Sequence, residues 1–147
     1  MASSVVISGA SGLIGSALAE SLRADGVSVR TLVRHPAVDA TESTWDPGST
    51  LLDPDVLAGA DAVINLNGAS IGKIPWTRRY KSTLLWSRLA PTRTLATALR
   101  ALGADAPAVV AAGAVGFYGS APGAGLDETA AKGQGFLADV CSDWEEA

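Results

Sequence analysis

Val5-Val6-Ile7-Ser8-Gly9-Ala10-Ser11-Gly12-Leu13-Ile14-Gly15 is the stretch that decides the fold. An apolar run opens directly into glycines spaced three residues apart, and Ile14, Leu18 and Leu22 then keep helical spacing. This is a strand handing over to a helix through a turn without bulky side chains. A backbone that passes close to a pyrophosphate needs such a turn, and the helix N-terminus behind it supplies free N–H groups and the positive end of a dipole. The spacing is one residue longer than Gly-x-Gly-x-x-Gly. It implies nucleotide binding; glycines collected in an ordinary structural turn are the alternative.

Working outward, the chain alternates short β-branched runs with longer helical patterns, which predicts βαβ units and a parallel sheet. Strand one covers roughly Val5 to Ser8 and helix one Gly12 to Ala24, stopped by Asp25-Gly26. Strand two is Val27 to Val33, and a short third strand lies around Ser43 to Trp45, cut off by Asp46-Pro47-Gly48. Asp53-Pro54 reads as the N-cap and first-turn proline of a brief helix to Leu57. Strand four, Ala62 to Leu66, ends in Asn67-Gly68. A long helical stretch from Thr77 to Leu102 puts Leu84, Leu85, Leu89, Leu95 and Leu99 on one face, and Pro91 is expected to kink or divide it. Strand five is Ala108 to Ala112, followed by a glycine-rich functional loop from Gly113 to Gly135 and an amphipathic helix from Phe136 to Glu146. The expected architecture is α/β, a Rossmann-type doubly wound parallel sheet of about five strands in order 3-2-1-4-5 with crossover helices. Ligands of such sheets bind outside the carboxyl ends of the strands, where the order reverses between strands one and four. Three loops are expected to meet there: Gly9 to Gly15, the loop after Leu66, and the loop after Ala112.

The totals narrow the class. The 147 residues suit one domain, a dinucleotide-binding domain over residues 1–147, with 48% apolar and 18% charged residues as in a folded globular chain. A net charge of −4 gives no reason to expect nucleic acid. No run of about 18 apolar residues points to a membrane span, and no basic-then-apolar N-terminus points to a secretion signal. The single Cys141 cannot close an internal disulfide, and His35 is the one histidine, so no metal site is expected. A cytoplasmic location is the simplest reading.

The end of strand two suggests which nucleotide. NAD-binding versions of the fold place an acid about 20 residues past the glycines to hold the ribose 2′-hydroxyl. Here that place reads Val33-Arg34-His35-Pro36. A guanidinium cannot accept from a hydroxyl, but its fork matches a 2′-phosphate, so NADP is favoured and NAD is the alternative. Arg34 as an ordinary solvated charge is the bland reading. His35 is expected beside the adenosine.

The chain resembles the atypical, extended-like short-chain dehydrogenase/reductases of the NAD-dependent epimerase/dehydratase-like "epimerase family", also described as cell-division-inhibitor-like proteins. The resemblance is carried by Gly9 to Gly15, Leu32-Val33-Arg34, Thr44-Trp45-Asp46-Pro47 and Asp61 to Gly68. It continues in Trp76-Thr77, Lys81, Ser87-Arg88, Gly116-Phe117-Tyr118-Gly119, Phe136-Leu137-Ala138 and Asp143-Trp144-Glu145. It implies an NAD(P)-binding domain of a nucleoside-diphosphate-sugar epimerase/dehydratase-like oxidoreductase. The cofactor would be held by Gly9, Ser11, Gly12, Leu13, Ile14, Arg34, Leu66, Asn67 and Gly68. It also implies that relatives run on to a sixth strand and a smaller substrate region, so the chain is expected to stop before that region. Surfaces of strand five and the last helix would then be left for self-association.

The resemblance does not supply a catalytic set. Ordinary members of the superfamily use a Tyr-x-x-x-Lys pair and a serine after strand five, because an unassisted phenol with pKa about 10 is a poor base at neutral pH. Here Leu137 stands at the tyrosine position and Cys141 at the lysine position, and Ala111-Ala112-Gly113-Ala114 lacks the serine. The remaining candidates are Tyr118, Arg88 and Cys141. For Tyr118 the alternative is a turn residue shaping the pocket, for Arg88 a tie between two helices, and for Cys141 a buried inert thiol. Trp76, Trp86 and Trp144 read as packing residues. The substrate is an unidentified small molecule. Two functions stay open: a cofactor domain of an oxidoreductase or epimerase, and a non-catalytic NADP-binding sensor or interaction module. An S-adenosylmethionine-dependent methyltransferase is disfavoured by the three-glycine spacing and Arg34.

Overall fold

In the computed structural model, which describes residues 3–123 and 125–147, the chain divides into two compact units. The first comprises residues 1–68 with 90–112, the second 69–89 with 113–147. Ala124, inside the expected glycine-rich loop, lies outside the described residues.

The first unit holds the whole sheet: β1 (Ser4–Ser8), β2 (Ser28–Val33), β3 (Glu42–Thr44), β4 (Ala62–Asn65) and β5 (Ala108–Ala111). All pairs are parallel, in the order β3-β2-β1-β4-β5, with Ile7 opposite Thr31 on one side and Ile64 on the other. The central β1 is apolar on both faces because both are covered. Val6 packs with Leu32, Trp45, Leu57, Val63, Leu95 and Ala98, and Ile7 packs with Ala19 and Val29. Adjacent residues of a strand point to opposite sides, so one dipeptide anchors two layers.

Helix α1 (Leu13–Ala24) follows the glycine turn and buries Gly15 and Ala19. It ends as the sequence predicts: Gly26 takes φ +79°, Gly26 N–H donates to Arg23 O and Val27 N–H to Leu22 O. These are the paired bonds of a Schellman stop. Asp53 caps Pro54–Val56 by accepting from Asp55 N–H, though the segment is a single 3-10 turn and not an α-helix.

Residues 34–41 link β2 to β3 without a helix, in keeping with the absence of a helical pattern between them in the sequence. β3 is only three residues long and starts level with Thr31, so eight extended residues are enough to return to its start. Of the two outcomes expected at Pro91, a kink or a division, the division does not occur: α2 (Arg78–Leu102) runs through the proline. Leu84, Leu89, Leu95 and Ala98, on both sides of the proline, are all at most 4% exposed. Burying them outweighs the roughly 3 kcal/mol an interior proline costs.

The second unit contains residues 78–89 of α2, a 3-10 turn at Val115–Tyr118, and α3 (Phe136–Glu145). α3 presents Ala138, Val140, Cys141 and Trp144 inward. A Cβ at Gly116 would lie 3.4 Å from Leu137 Cβ and 3.5 Å from Cys141 Sγ, so turn and helix are in van der Waals contact.

Candidate functional site

The glycine turn does two different jobs. A Cβ on Gly9, which has φ +80°, would meet the Leu66 carbonyl at 2.7 Å and Asn67 N at 3.0 Å. A Cβ on Gly15 would overlap the backbone of Gly9 and Ala10. Both glycines are therefore required by the chain itself. Gly12 is not: its φ is −77°, and a Cβ there meets only Gly9 O, at 3.4 Å. It caps α1 with no side-chain hydrogen bond.

Beside this turn a groove of about 710 Å³ opens in the first unit, where no helix accompanies the β2–β3 link. Gly9, Ser11, Arg34 and Asn67, expected around a cofactor, all line it, as does His35. Gly12, Leu13, Ile14, Leu66 and Gly68 do not. Leu13 and Ile14 stand in the first turn of α1, 90% and 69% exposed, and Leu66 is bonded through its N–H to Ser8 O. Gly68 is exposed, one position past Asn67.

A polar cluster fixes the switch between β1 and β4. Ser8 and Asn65 are at most 2% exposed. Asn65 Oδ1 accepts from Ser8 Oγ at 3.1 Å, from Asn67 Nδ2 at 2.8 Å and from Asn67 N–H at 3.3 Å. Asn65 Nδ2 donates to Thr92 Oγ1 at 3.0 Å, and Asn67 Nδ2 also donates to Ser8 Oγ at 2.7 Å. Both Asn67 amide hydrogens are therefore engaged inside the cluster.

The catalytic candidates all lie in the second unit. Tyr118 donates its hydroxyl to Asp127 O at 3.0 Å and sets its ring edge-on to Phe117. Gly133 N–H closes the same loop on Phe117 O at 2.9 Å. Arg88 donates to Leu84 O at 2.8 Å and Ala69 O at 3.2 Å, with its guanidinium 5.3 Å from the Trp144 ring centre. Burial lowers the Arg88 pKa. Cys141 is 4% exposed. Burial pushes its thiol up, Glu145 adds to the rise, and the Arg88 charge opposes it. Thiol reagents should therefore label Cys141 at pH 7.5 only at the rate of chain opening, and fast labelling of the native chain would contradict this. Trp144 is buried and Trp76 packs edge-on against Phe136, whereas Trp86 is 50% exposed. Among the described residues no three metal-binding side chains come together, and no helix is long and apolar enough to cross a membrane.

The sequence profile of the NAD dependent epimerase/dehydratase family matches residues 5–135. The chain belongs to that family. An epimerase family protein of Mycobacterium bovis is 42% identical over 148 residues, and one of Mycobacterium leprae 41% identical over 143, covering 100% and 97% of this chain. The chain spans 48% and 46% of those two proteins, about half their length. The crystal structure of a human epimerase family protein with NADPH superposes with a TM-score of 0.79 at 30% identity, over 97% of this chain and 48% of that one. A nucleoside-diphosphate sugar epimerase from Corynebacterium glutamicum gives a TM-score of 0.79 at 34% identity, over 99% and 30%.

In this epimerase/dehydratase-family chain, sequence reasoning missed Ser16, Ala19, Arg23, Thr31, Glu42 and Trp45 of the groove. Ser16, Ala19 and Arg23 had a signal: they continue from Gly12 at helical spacing. Glu42 had none, because the short β2–β3 link brings it there. Its carboxylate accepts from Val38 N–H at 3.0 Å and lies 3.9 Å from His35 Nδ1.

Proposed function

We propose that this chain is the NAD(P)-binding part of an epimerase/dehydratase-type oxidoreductase acting on a small-molecule substrate, with NADP favoured over NAD. The observation that carries the reading is Gly12. The chain's own packing leaves room for a side chain there, so the reason for glycine lies outside the chain, at the spot where a helix N-terminus offers N–H groups to a phosphate. Gly9, Ser11, Leu13, Ile14, Arg34, Leu66, Asn67 and Gly68 complete the proposed cofactor contacts. NADPH in the human relative's crystal structure supports the choice, as does Arg34 on the groove wall. When bound, the nicotinamide supplies hydride chemistry; the chain positions the dinucleotide and sets the charge around it. A cytoplasmic setting agrees with one buried, unpaired cysteine. Val109 and Val110, 53% and 55% exposed on edge strand β5, support self-association.

Thermal unfolding tests the reading. NADPH at about 100 times its dissociation constant adds roughly 2.7 kcal/mol, which raises the midpoint of a chain this size by several degrees. NADH at equal concentration should give less, and Arg34→Ala should narrow the gap. No shift with either nucleotide counts against the proposal.

A second reading, a non-catalytic NADP-binding module, is favoured by α3. By the family resemblance Leu137 and Cys141 would take the places of a Tyr–Lys pair, and the Tyr118 hydroxyl is committed to a backbone carbonyl. Hydride transfer from NADPH to any member of a panel of carbonyl compounds would exclude it.

A further inference from the structure

Gly12, Ser16, Ala19 and Arg23 follow one another at four, three and four residues, so they form a single stripe along α1. The last three line the groove. Arg23 is the only cation of the helix and the first long side chain on that stripe. Helical side chains lean toward the N-terminus, so its stem lies back in the direction of the glycine turn. Arg34, just past the end of β2, lines the same groove. Among the described residues neither guanidinium group has a hydrogen bond or an ion pair. Glu20 and Asp25 flank Arg23 on and just after α1 without forming an ion pair with it, and the two acids of the β2–β3 side are held by their own neighbours. Asp39 accepts from Thr41 Oγ at 2.6 Å and N–H at 2.7 Å, bonds that hold its carboxyl low with a smaller contribution from Arg23. Glu42 accepts from Val38 N–H. In a chain of net charge −4, two guanidinium groups on one groove that form no hydrogen bond or ion pair call for an anion with several acceptor oxygens.

We propose that Arg23 acts with Arg34 as a clamp on the 2′-phosphate of NADP, and that Arg23 sets the preference for NADP over NAD. The proposal rests on the dinucleotide reading above. Two forks can hold a phosphate dianion from separate walls of the groove, whereas the 2′-hydroxyl of NAD offers them little.

The test is a set of dissociation constants for NADPH, NADH, 2′-phospho-AMP and AMP on the full chain, Arg23→Ala, Arg23→Gln and Arg34→Ala. Both Arg23 variants should weaken NADPH and 2′-phospho-AMP by about tenfold or more while NADH and AMP stay within about twofold. The loss should shrink at high salt, since the groove is open to solvent. Equal losses for both nucleotides, or unchanged NADPH binding in the Arg23 variants, would overturn the assignment of Arg23 and leave the dinucleotide reading in place. A wild-type chain that binds neither NADPH nor NADH would overturn both. Circular dichroism of the two Arg23 variants separates lost binding from lost structure.

Discussion

Gly12→Asp should abolish nucleotide binding while leaving the chain at least as stable as before. The backbone at Gly12, φ −77° and ψ 171°, is the extended geometry an N-cap residue adopts, and it suits any L-amino acid. Aspartate is among the preferred caps. Its carboxylate can accept from the free N–H groups of the first turn, which is worth a few tenths of a kcal/mol over glycine. The same carboxylate takes the place proposed for the pyrophosphate. At about 4 Å and an effective dielectric of about 20, each like-charge pair costs about 4 kcal/mol, roughly a thousandfold in affinity. Gly9→Ala and Gly15→Ala should behave in the opposite way. Their new methyl groups collide with backbone that has nowhere to go, so both should lower the unfolding midpoint. Midpoints and NADPH titrations of the three variants check this. A destabilised Gly12→Asp, or one that binds NADPH normally, would break the distinction drawn between the middle glycine and its neighbours.

Asn65→Leu should cost about 3 kcal/mol, or roughly 10 °C in the unfolding midpoint. Leucine has asparagine's branching and as many heavy atoms, so no cavity opens and the cost comes from the lost hydrogen bonds together with the tighter fit of two methyl groups. Removing Oδ1 takes the acceptor from Ser8 Oγ, Asn67 N–H and one Asn67 Nδ2 hydrogen, and removing Nδ2 takes a donor from Thr92. Each buried group left without a partner costs about 1–3 kcal/mol. Because Asn67 lines the groove, NADPH affinity should fall as well. Denaturant melts with nucleotide titrations measure both, and a midpoint within about 3 °C of wild type would mean that the cluster relaxes without loss.

The sheet was legible because its signals are local. β-Branched runs mark the strands, Asp25-Gly26 stops α1, and Asp53-Pro54 starts a turn, all within a few residues. What could not be read depends on distance. Ser8 and Asn65 are 57 positions apart, and nothing in either neighbourhood announces that they share a buried hydrogen bond. At Pro91 local chemistry leaves a kink or a division open, and burial on both sides of the proline decides against the division. Gly12 and Arg34 stood out as a motif and a motif departure, while Arg23 looked like an ordinary charge near a helix end until the groove placed it.

Asn67 carries one more consequence. Because its amide hydrogens are held by Ser8 and Asn65, the side chain has only its carbonyl oxygen left to offer. It can read a hydroxyl or an N–H but has nothing to give a phosphate oxygen. The Asn67 side chain at the end of β4 thus has the opposite polarity to the two arginines of the groove: it offers lone pairs, and they offer hydrogens. A ligand that is phosphate at one end and hydroxyl or amide at the other would therefore be accepted in one direction only.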